Sequence, residues 1–322
     1  MKGKIGLEEH FALPDSLGDM PGGQPDLGLL TRQLLDMYEL RVEEMDRHGM
    51  DMMILSLNSP AIQYTVDPAK AVDLARRCND HLAETIARHP KRFRGFAALP
   101  MQDPDAATEE LERCVKDLGF LGALVNGYSQ IGSLSNAVYL DDKRYWSFWG
   151  KVEELDVPFY LHPRNPLKEW QGSFEGHPWL LASAWAFTAE TATHALRLMC
   201  SGLFDAYPKL TLLLGHLGEC IPHHIWRTQR RMERDPRPKP FARSLFDYLT
   251  ENVYITTSGN FFTPALDNCI TVMGADRVMF STDYPFEPVG AAAEWFDALE
   301  MEEETKRKIG RDNAIRLFKL DM

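Results

Sequence analysis

The apolar positions of this chain gather into eight short runs, separated by stretches whose apolar residues recur three and four apart. The runs are Lys4–Phe11, Asp51–Asn58, Phe93–Pro100, Gly122–Gly127, Val157–His162, Leu210–Leu217, Val253–Ser258 and Val278–Asp283. Runs of this length, bounded by turn residues, read as buried strands. Between the first two, Leu34, Leu35, Tyr38, Val42 and Met45 mark a helix over Arg32–His48, ended by Gly49. Asp67-Pro68 and Asp103-Pro104 each set a capping carboxylate before a proline at the first helical position, opening helices to about His89 and to just before Gly119. Further helices are predicted over Lys143–Leu155, over Ser183–Phe204, through Ile225 and Met232 to just before Pro236, from Thr263-Pro264, around Trp295 and over Glu303–Phe318. Strands alternating with helices in this order predict a parallel (β/α)8 TIM barrel, one domain over residues 1–322 with loop insertions and C-terminal helices. A doubly wound open sheet competes, but no glycine-rich phosphate loop supports it. Three segments interrupt the pattern: Ala12–Thr31, a Gly- and Pro-rich lid candidate; the polar stretch Ser129–Asp142; and Pro163–Ala182, an insertion carrying Trp170 and Trp179.

Charge narrows the partners. With 35 Lys and Arg against 47 Asp and Glu, the net charge of −12 repels nucleic-acid phosphates and anionic membranes, so a small molecule is the expected partner. No apolar run reaches membrane-spanning length, and Met1–Lys4 lead straight into the first strand. Cys78, Cys114, Cys200, Cys220 and Cys269 are scattered and never form a C-x-x-C pair, as expected of reduced thiols in a cytoplasmic protein.

Four of the predicted strands end in residues that bind metals. Glu8 and His10, two apart, share one face of the first strand while Glu9 takes the other. His162 ends the fifth strand, His216 the sixth and Asp283 the eighth. Barrels gather the carboxyl ends of their strands at one mouth, which makes Glu8, His10, His162 and Asp283 the expected ligands of a divalent ion: zinc, manganese or magnesium. No organic cofactor is expected. His216 stands three residues before Glu219, close enough for the carboxylate to fix its tautomer or keep it protonated, an arrangement suited to catalysis or to a core histidine satisfied by a neighbouring acid.

The segments Leu7–Phe11, Gly122–Gly127, Phe159–Pro163, Leu214–Glu219, Thr256–Phe261 and Phe280–Pro285 resemble the decarboxylase branch of the amidohydrolase superfamily, over nearly the whole chain. The resemblance implies that Glu8, His10, His162 and Asp283 bind the metal and that His216 and Glu219 stand beside it. Asn126 occupies the place of the bridging lysine of binuclear members, which implies one metal. Relatives acting on 2,3-dihydroxybenzoate, salicylate or 5-carboxyvanillate often carry alanine where this chain has His10, which favours 2,6-dihydroxybenzoate as substrate. The implied reaction is its reversible, non-oxidative decarboxylation to resorcinol and CO2, with Asp283 delivering the proton and His216 and Glu219 settling its protonation. His162 would contact substrate, and Asn126 would hydrogen-bond a ring hydroxyl or serve only as a backbone cap. Arg227 would contact substrate, orient Glu219 or reach a neighbouring subunit, although a surface ion pair explains it as well. The resemblance also implies a homo-oligomer, tetramer or dimer. Alternatives are another ortho-hydroxybenzoate as substrate, a lactone or amide hydrolase on the same metal, and a metal-binding scaffold without activity. His177, His194, His223 and His224 are expected in core or surface roles, and Trp170, Trp179 and Trp185 in packing or a pocket wall.

Overall fold

A computed structural model describes residues 1–17 and 27–322. Its eight main strands are β1 (Lys4–Phe11), β2 (Met50–Leu57), β3 (Phe93–Gly95), β4 (Ala123–Asn126), β5 (Phe159–His162), β6 (Leu212–Leu214), β7 (Val253–Thr256) and β8 (Val278–Met279). They pair in parallel as β1-β2-β3 and β4-β5-β6-β7-β8. Ala97 joins the two sets, donating to Gly122 O (2.9 Å) and accepting from Leu124 N (3.1 Å). On the other side, Asp283 N donates to Glu8 O (3.1 Å) and His10 N to Tyr284 O (2.6 Å), which carries the eighth strand back to the first. The expected (β/α)8 barrel is the fold.

Alternate residues face opposite ways, and both faces are buried. Met52, Ile54, Phe96, Leu124, Tyr160, Leu213 and Met279 pack together inside the ring, with Ala314 and Phe318 from the C-terminal helix Asn313–Phe318. Their neighbours Met53, Leu55, Val125, Leu161 and Leu214 join the shell between strands and helices. Burial on both faces makes a parallel strand read as a continuous apolar run, which is the signal the sequence carries. Toward the carboxyl ends the inward positions turn polar: Ser56, Asn126, His162, Ser258, Ser281 and Asp283, all buried.

β1 departs from the simple alternation. Ile5 and Leu7 lie in the inner cluster, yet Glu8 and His10 also face inward. Between Gly6 and Glu9 the register against β2 slips: three steps along β1 oppose two along β2, from Met53 to Leu55. This is a bulge, and a one-residue slip turns every following side chain to the other face. The amides it frees, Leu7 N and Glu8 N, donate to Ser281 Oγ at 3.1 and 2.7 Å.

Several element bounds differ from the sequence expectation. Most of the lid candidate Ala12–Thr31 that follows residue 17 lies outside the described residues, and its last part is helical, in Leu27–Leu35. The single helix expected over Arg32–His48 is broken by Asp36, whose carboxylate accepts from Tyr38 N, Glu39 N and Leu40 N (2.9, 2.9 and 2.5 Å) and starts a new helix, Glu39–Arg47. Ser129–Gln130 and Ala137–Val138 pair as a small antiparallel ribbon inside the stretch expected to be loop. The helix expected over Ser183–Phe204 runs only from Ala186 to Cys200, because the αL backbone of Gly202 (φ 80°) turns the chain into a short helix, Leu203–Ala206.

His194, on Ala186–Cys200, has the core role expected of it: its Nε2 accepts from Leu140 N at 3.0 Å. Burial, aided by the charges of Arg197 and Arg164, pushes its pKa down to about 3. An unfolded histidine titrates near 6.5, so between roughly pH 3 and 6.5 the unfolded chain holds the extra proton. Stability from this group is complete above that window and is lost as pH falls through it. We expect the thermal midpoint of His194→Gln to decline less steeply than wild type between pH 6.5 and 4.5. Parallel declines would contradict the assignment.

Candidate metal centre

The four expected ligands converge. Glu8, His10, His162 and Asp283 are all buried, and one ligand atom from each lies within 4.8 Å of the others. His162 Nε2 is 3.2 Å and His10 Nε2 3.9 Å from Glu8 Oε1, and Asp283 Oδ1 is 3.3 Å from His10 Nε2. Despite this closeness, Glu8 Oε1 and His10 Nε2 have no hydrogen-bond partner. Buried polar atoms that converge without bonding one another fit a cation placed among them. Two carboxylates and two imidazoles would neutralise a divalent ion, so the donor set fits one.

The atoms facing away from that point are tied down. Glu8 Oε2 accepts from the Tyr160 hydroxyl and from Ser258 Oγ, and both hydroxyls contact Thr256 Oγ1, at 2.9 and 3.0 Å. Tyr160 precedes His162 by two residues in β5 and therefore shares its inward face. Ser56 Oγ, 3.2 Å from His10 Nδ1, orients that ring so that Nε2 faces the cluster. Gly215 leaves the space that Glu8 occupies, since a Cβ there would lie 2.4 Å from Glu8 Oε2. Burial works against the Glu8 carboxylate, but the charge of His216 and the closeness of the His10 and His162 imidazoles hold its pKa well below the usual carboxylate range. For His10, burial is outweighed by Asp283 and Glu8, which raise it to about 9.

His216 does not sit in an extended strand. From His216 to Cys220 every residue has positive φ (50°, 58°, 77°, 52° and 62°), a left-handed turn in which only Gly218 is at ease. Each non-glycine residue there costs about 1–2 kcal/mol. The turn is pinned by Gly218 N to Gly215 O (2.7 Å), His216 N to Ser258 Oγ (3.2 Å) and the Cys269 thiol to Leu217 O (3.4 Å). It brings Glu219 Oε1 to 2.7 Å from His216 Nδ1, while His216 Nε2 faces Glu8 Oε1 (3.7 Å) and Asp283 Oδ2 (3.6 Å). Burial opposes the imidazolium, but the Glu219 and Glu8 carboxylates hold its pKa well above the ordinary histidine range.

Above the cluster lies a cavity of about 410 Å³, with His162, His216 and Asp283 in its wall together with Ser59, Ala182–Ala184, Phe187, Gly259, Phe286 and Glu287. That volume suits a small ligand. Sequence reasoning missed Ser59, Phe187, Phe286 and Glu287, which come from loops or helix starts without strand-end spacing. Tyr160 and Ser258 were findable from the two-residue period. Asn126 and Arg227, also expected to contact substrate, differ in place: the first lies level with His162 on the neighbouring strand and the second outside the cavity. Asn126 is buried, donates from Nδ2 to Asn58 O (3.2 Å) and leaves Oδ1 unpartnered. Arg227 is exposed on the helix Ile221–Glu233, outside this cavity, because its position on that helix faces solvent. Trp170, Trp179 and Trp185 are exposed and do not line it either.

The amidohydrolase family model matches residues 14–320. Gamma-resorcylate decarboxylases of Rhizobium radiobacter and Rhodococcus jostii are each 55% identical, the first over 100% of this chain and 99% of its own, the second over the full length of both. A crystal structure of 2,6-dihydroxybenzoate decarboxylase complexed with 2,6-dihydroxybenzoate has a TM-score of 0.97 at 54% identity, covering 100% of both chains. A dihydroxybenzoic acid decarboxylase from a Polaromonas species, with manganese and the inhibitor 2-nitroresorcinol, has a TM-score of 0.97 at 53% identity, covering 100% of this chain and 98% of that one.

If the hydroxyls behind Glu8 set its aim, removing one weakens the hold on a cation without touching a ligand. We expect Tyr160→Phe to lower manganese affinity about 10–100-fold, measured by chelator competition. Wild-type affinity in that variant would show that Tyr160 only packs.

Proposed function

The chain belongs to the amidohydrolase family, and we propose that it catalyses the metal-dependent, non-oxidative decarboxylation of 2,6-dihydroxybenzoate to resorcinol and CO2. The observation that carries this reading is the buried cluster of Glu8, His10, His162 and Asp283 under a cavity of ligand size, in a chain 55% identical along its full length to gamma-resorcylate decarboxylases. Likeness to a manganese-bound relative favours manganese as the ion.

Direct loss of CO2 from an aryl acid leaves a carbanion in the ring plane, unable to delocalise into the π system. The ring carbon bearing the carboxylate is therefore protonated first, and the ortho hydroxyls supply the electron density that makes this feasible. When bound, the divalent ion supplies Lewis acidity that fixes the carboxylate and an ortho oxygen of the substrate. Asp283 is the proton donor: Oδ1 faces His10, while Oδ2 faces His216 and the cavity. The new C–H bond forms at that carbon, the C–C bond to the carboxylate breaks, and its electron pair restores the ring as CO2 departs. His216, held as imidazolium by Glu219, returns a proton to Asp283 and favours anionic substrate in the cavity. Asn126, level with His162 across the β4–β5 ladder, offers its unpartnered Oδ1 to the second ring hydroxyl.

The same reading includes a homo-oligomer. Trp179, Trp185, Trp226 and Phe262 are large apolar side chains left exposed, with Arg227 next to Trp226 in the chain, and we assign such exposed apolar surface to contact with a second copy. All five cysteines are free, which supports a reducing, cytoplasmic setting. No helix among the described residues is long and apolar enough to cross a membrane.

Manganese-loaded protein is expected to release CO2 and resorcinol from 2,6-dihydroxybenzoate; turnover confined to a lactone would refute the assignment. Asp283→Asn should lower kcat by about 10²–10⁴-fold. In Glu219→Gln the imidazolium loses its anionic partner and its pKa falls, so the alkaline limb of the rate profile should move to lower pH. A limb that stays in place would remove Glu219 from its role.

A further inference from the structure

A second cavity, of about 500 Å³, lies beside the first and shares Ser59 and Phe187 with it. Arg164 forms part of its wall and is only 5% exposed. The guanidinium lies 3.9 Å from the centre of the Tyr128 ring. Its Nη1 donates to Tyr128 O (2.6 Å) and Gln63 O (3.4 Å), and its Nη2 to Gln130 Oε1 (2.8 Å). Every one of these acceptors is uncharged, and Nε has no partner. Arginine keeps its proton throughout the physiological range, so this is a buried cation that no carboxylate among the described residues pairs with. Glu190, the acid facing it from a neighbouring helix, accepts instead from the Tyr139 hydroxyl, and burial raises its pKa toward the neutral form. Lys168 and Glu169, at the mouth, are exposed and opposite in sign.

The position is built. Gly127 (φ 66°) lies where the arginine stem passes, and a Cβ there would come within 2.7 Å of Arg164 Cγ. Tyr128, which stacks on the guanidinium, is itself fixed by its hydroxyl donating to Asn165 O at 2.9 Å. Of the remaining wall, Tyr64, Leu134, Pro166, Leu167 and Phe187 offer flat or apolar surface beside the polar Asn165 and Gln171. Buried charges are normally paired, and planar carboxylates are the anions that a guanidinium edge receives through two parallel bonds.

The geometry points to a second binding site, for a small aryl carboxylate, with the carboxylate on the unused N–H groups of Arg164 and the ring among those walls. The site is separate from the metal and does not depend on the reaction assigned there. Through Ser59 and Phe187 its occupant adjoins the wall of the metal cavity.

Crystals of the full chain soaked in 4-bromobenzoate, which lacks the ortho hydroxyl needed for chelation, should show a bromine anomalous peak in the Arg164 cavity. Bromine confined to the metal cavity, or absent, overturns the proposal. In solution, Gln130→Glu sets an internal carboxylate against Nη2 and should weaken 4-bromobenzoate binding at that site at least tenfold. Leu134→Trp leaves the contacts of Arg164 in place and fills the cavity, and should do the same. If the first variant does not fold, the second decides alone, and unchanged affinity in a folded variant overturns the proposal.

Discussion

The carboxylate of Glu9 points away from the metal cluster, yet the cluster depends on it. It accepts from Ser281 Oγ (3.0 Å), Thr282 N (2.9 Å), Thr282 Oγ1 and Tyr284 N (3.1 Å), clamping the residues on either side of Asp283 to β1. Burial pushes its pKa up to about 7, against the pull of those donors. Arg41, buried nearby, lies 4.7 Å from the Tyr284 ring centre and donates from Nη2 to His10 O at 2.5 Å. The Glu9 carboxylate, with both oxygens engaged, rigidifies the seam between the first and eighth strands. It also fixes the backbone of Asp283, whose φ of 73° few aspartates adopt.

The seam and the bulge act together. Without the extra residue between Gly6 and Glu9, an unbroken alternation would place Glu8 and His10 on the face opposite Ile5 and Leu7. With it, apolar side chains fill the lower interior and ligands crown it, all on one strand. Ser281 serves both features: its hydroxyl accepts the two amides freed by the bulge and donates to Glu9. A buried apolar floor excludes water beneath the cluster and strengthens every electrostatic interaction above it.

Much of this is legible in the amino-acid order, and the gaps have physical causes. The ligand positions stand out because a parallel strand is apolar on both faces until its carboxyl end, where Glu8, His10, His162 and Asp283 break the run. The bulge leaves no compositional trace, since Leu7 is apolar whichever way it points. The turn at His216 escapes because four of its five left-handed residues are not glycine, and Leu217, Glu219 and Cys220 are types that give no warning of positive φ. Asp36 ends one helix and starts the next within a continuous apolar stripe, so spacing alone reads one helix. The cavity wall from Phe187, Phe286 and Glu287 has no period to betray it, being assembled from segments that meet only in the folded chain.

The left-handed turn has a consequence for how the molecule fails. A disfavoured backbone persists only while its surroundings over-determine it, and here those surroundings are a few contacts from Ser258, Cys269 and Gly215. The barrel beneath is held by eight strands and a doubly buried core. Mild heat or dilute denaturant would therefore let His216 and Glu219 drift out of register while far-ultraviolet ellipticity still looked native, and catalysis would fall silent well ahead of global melting.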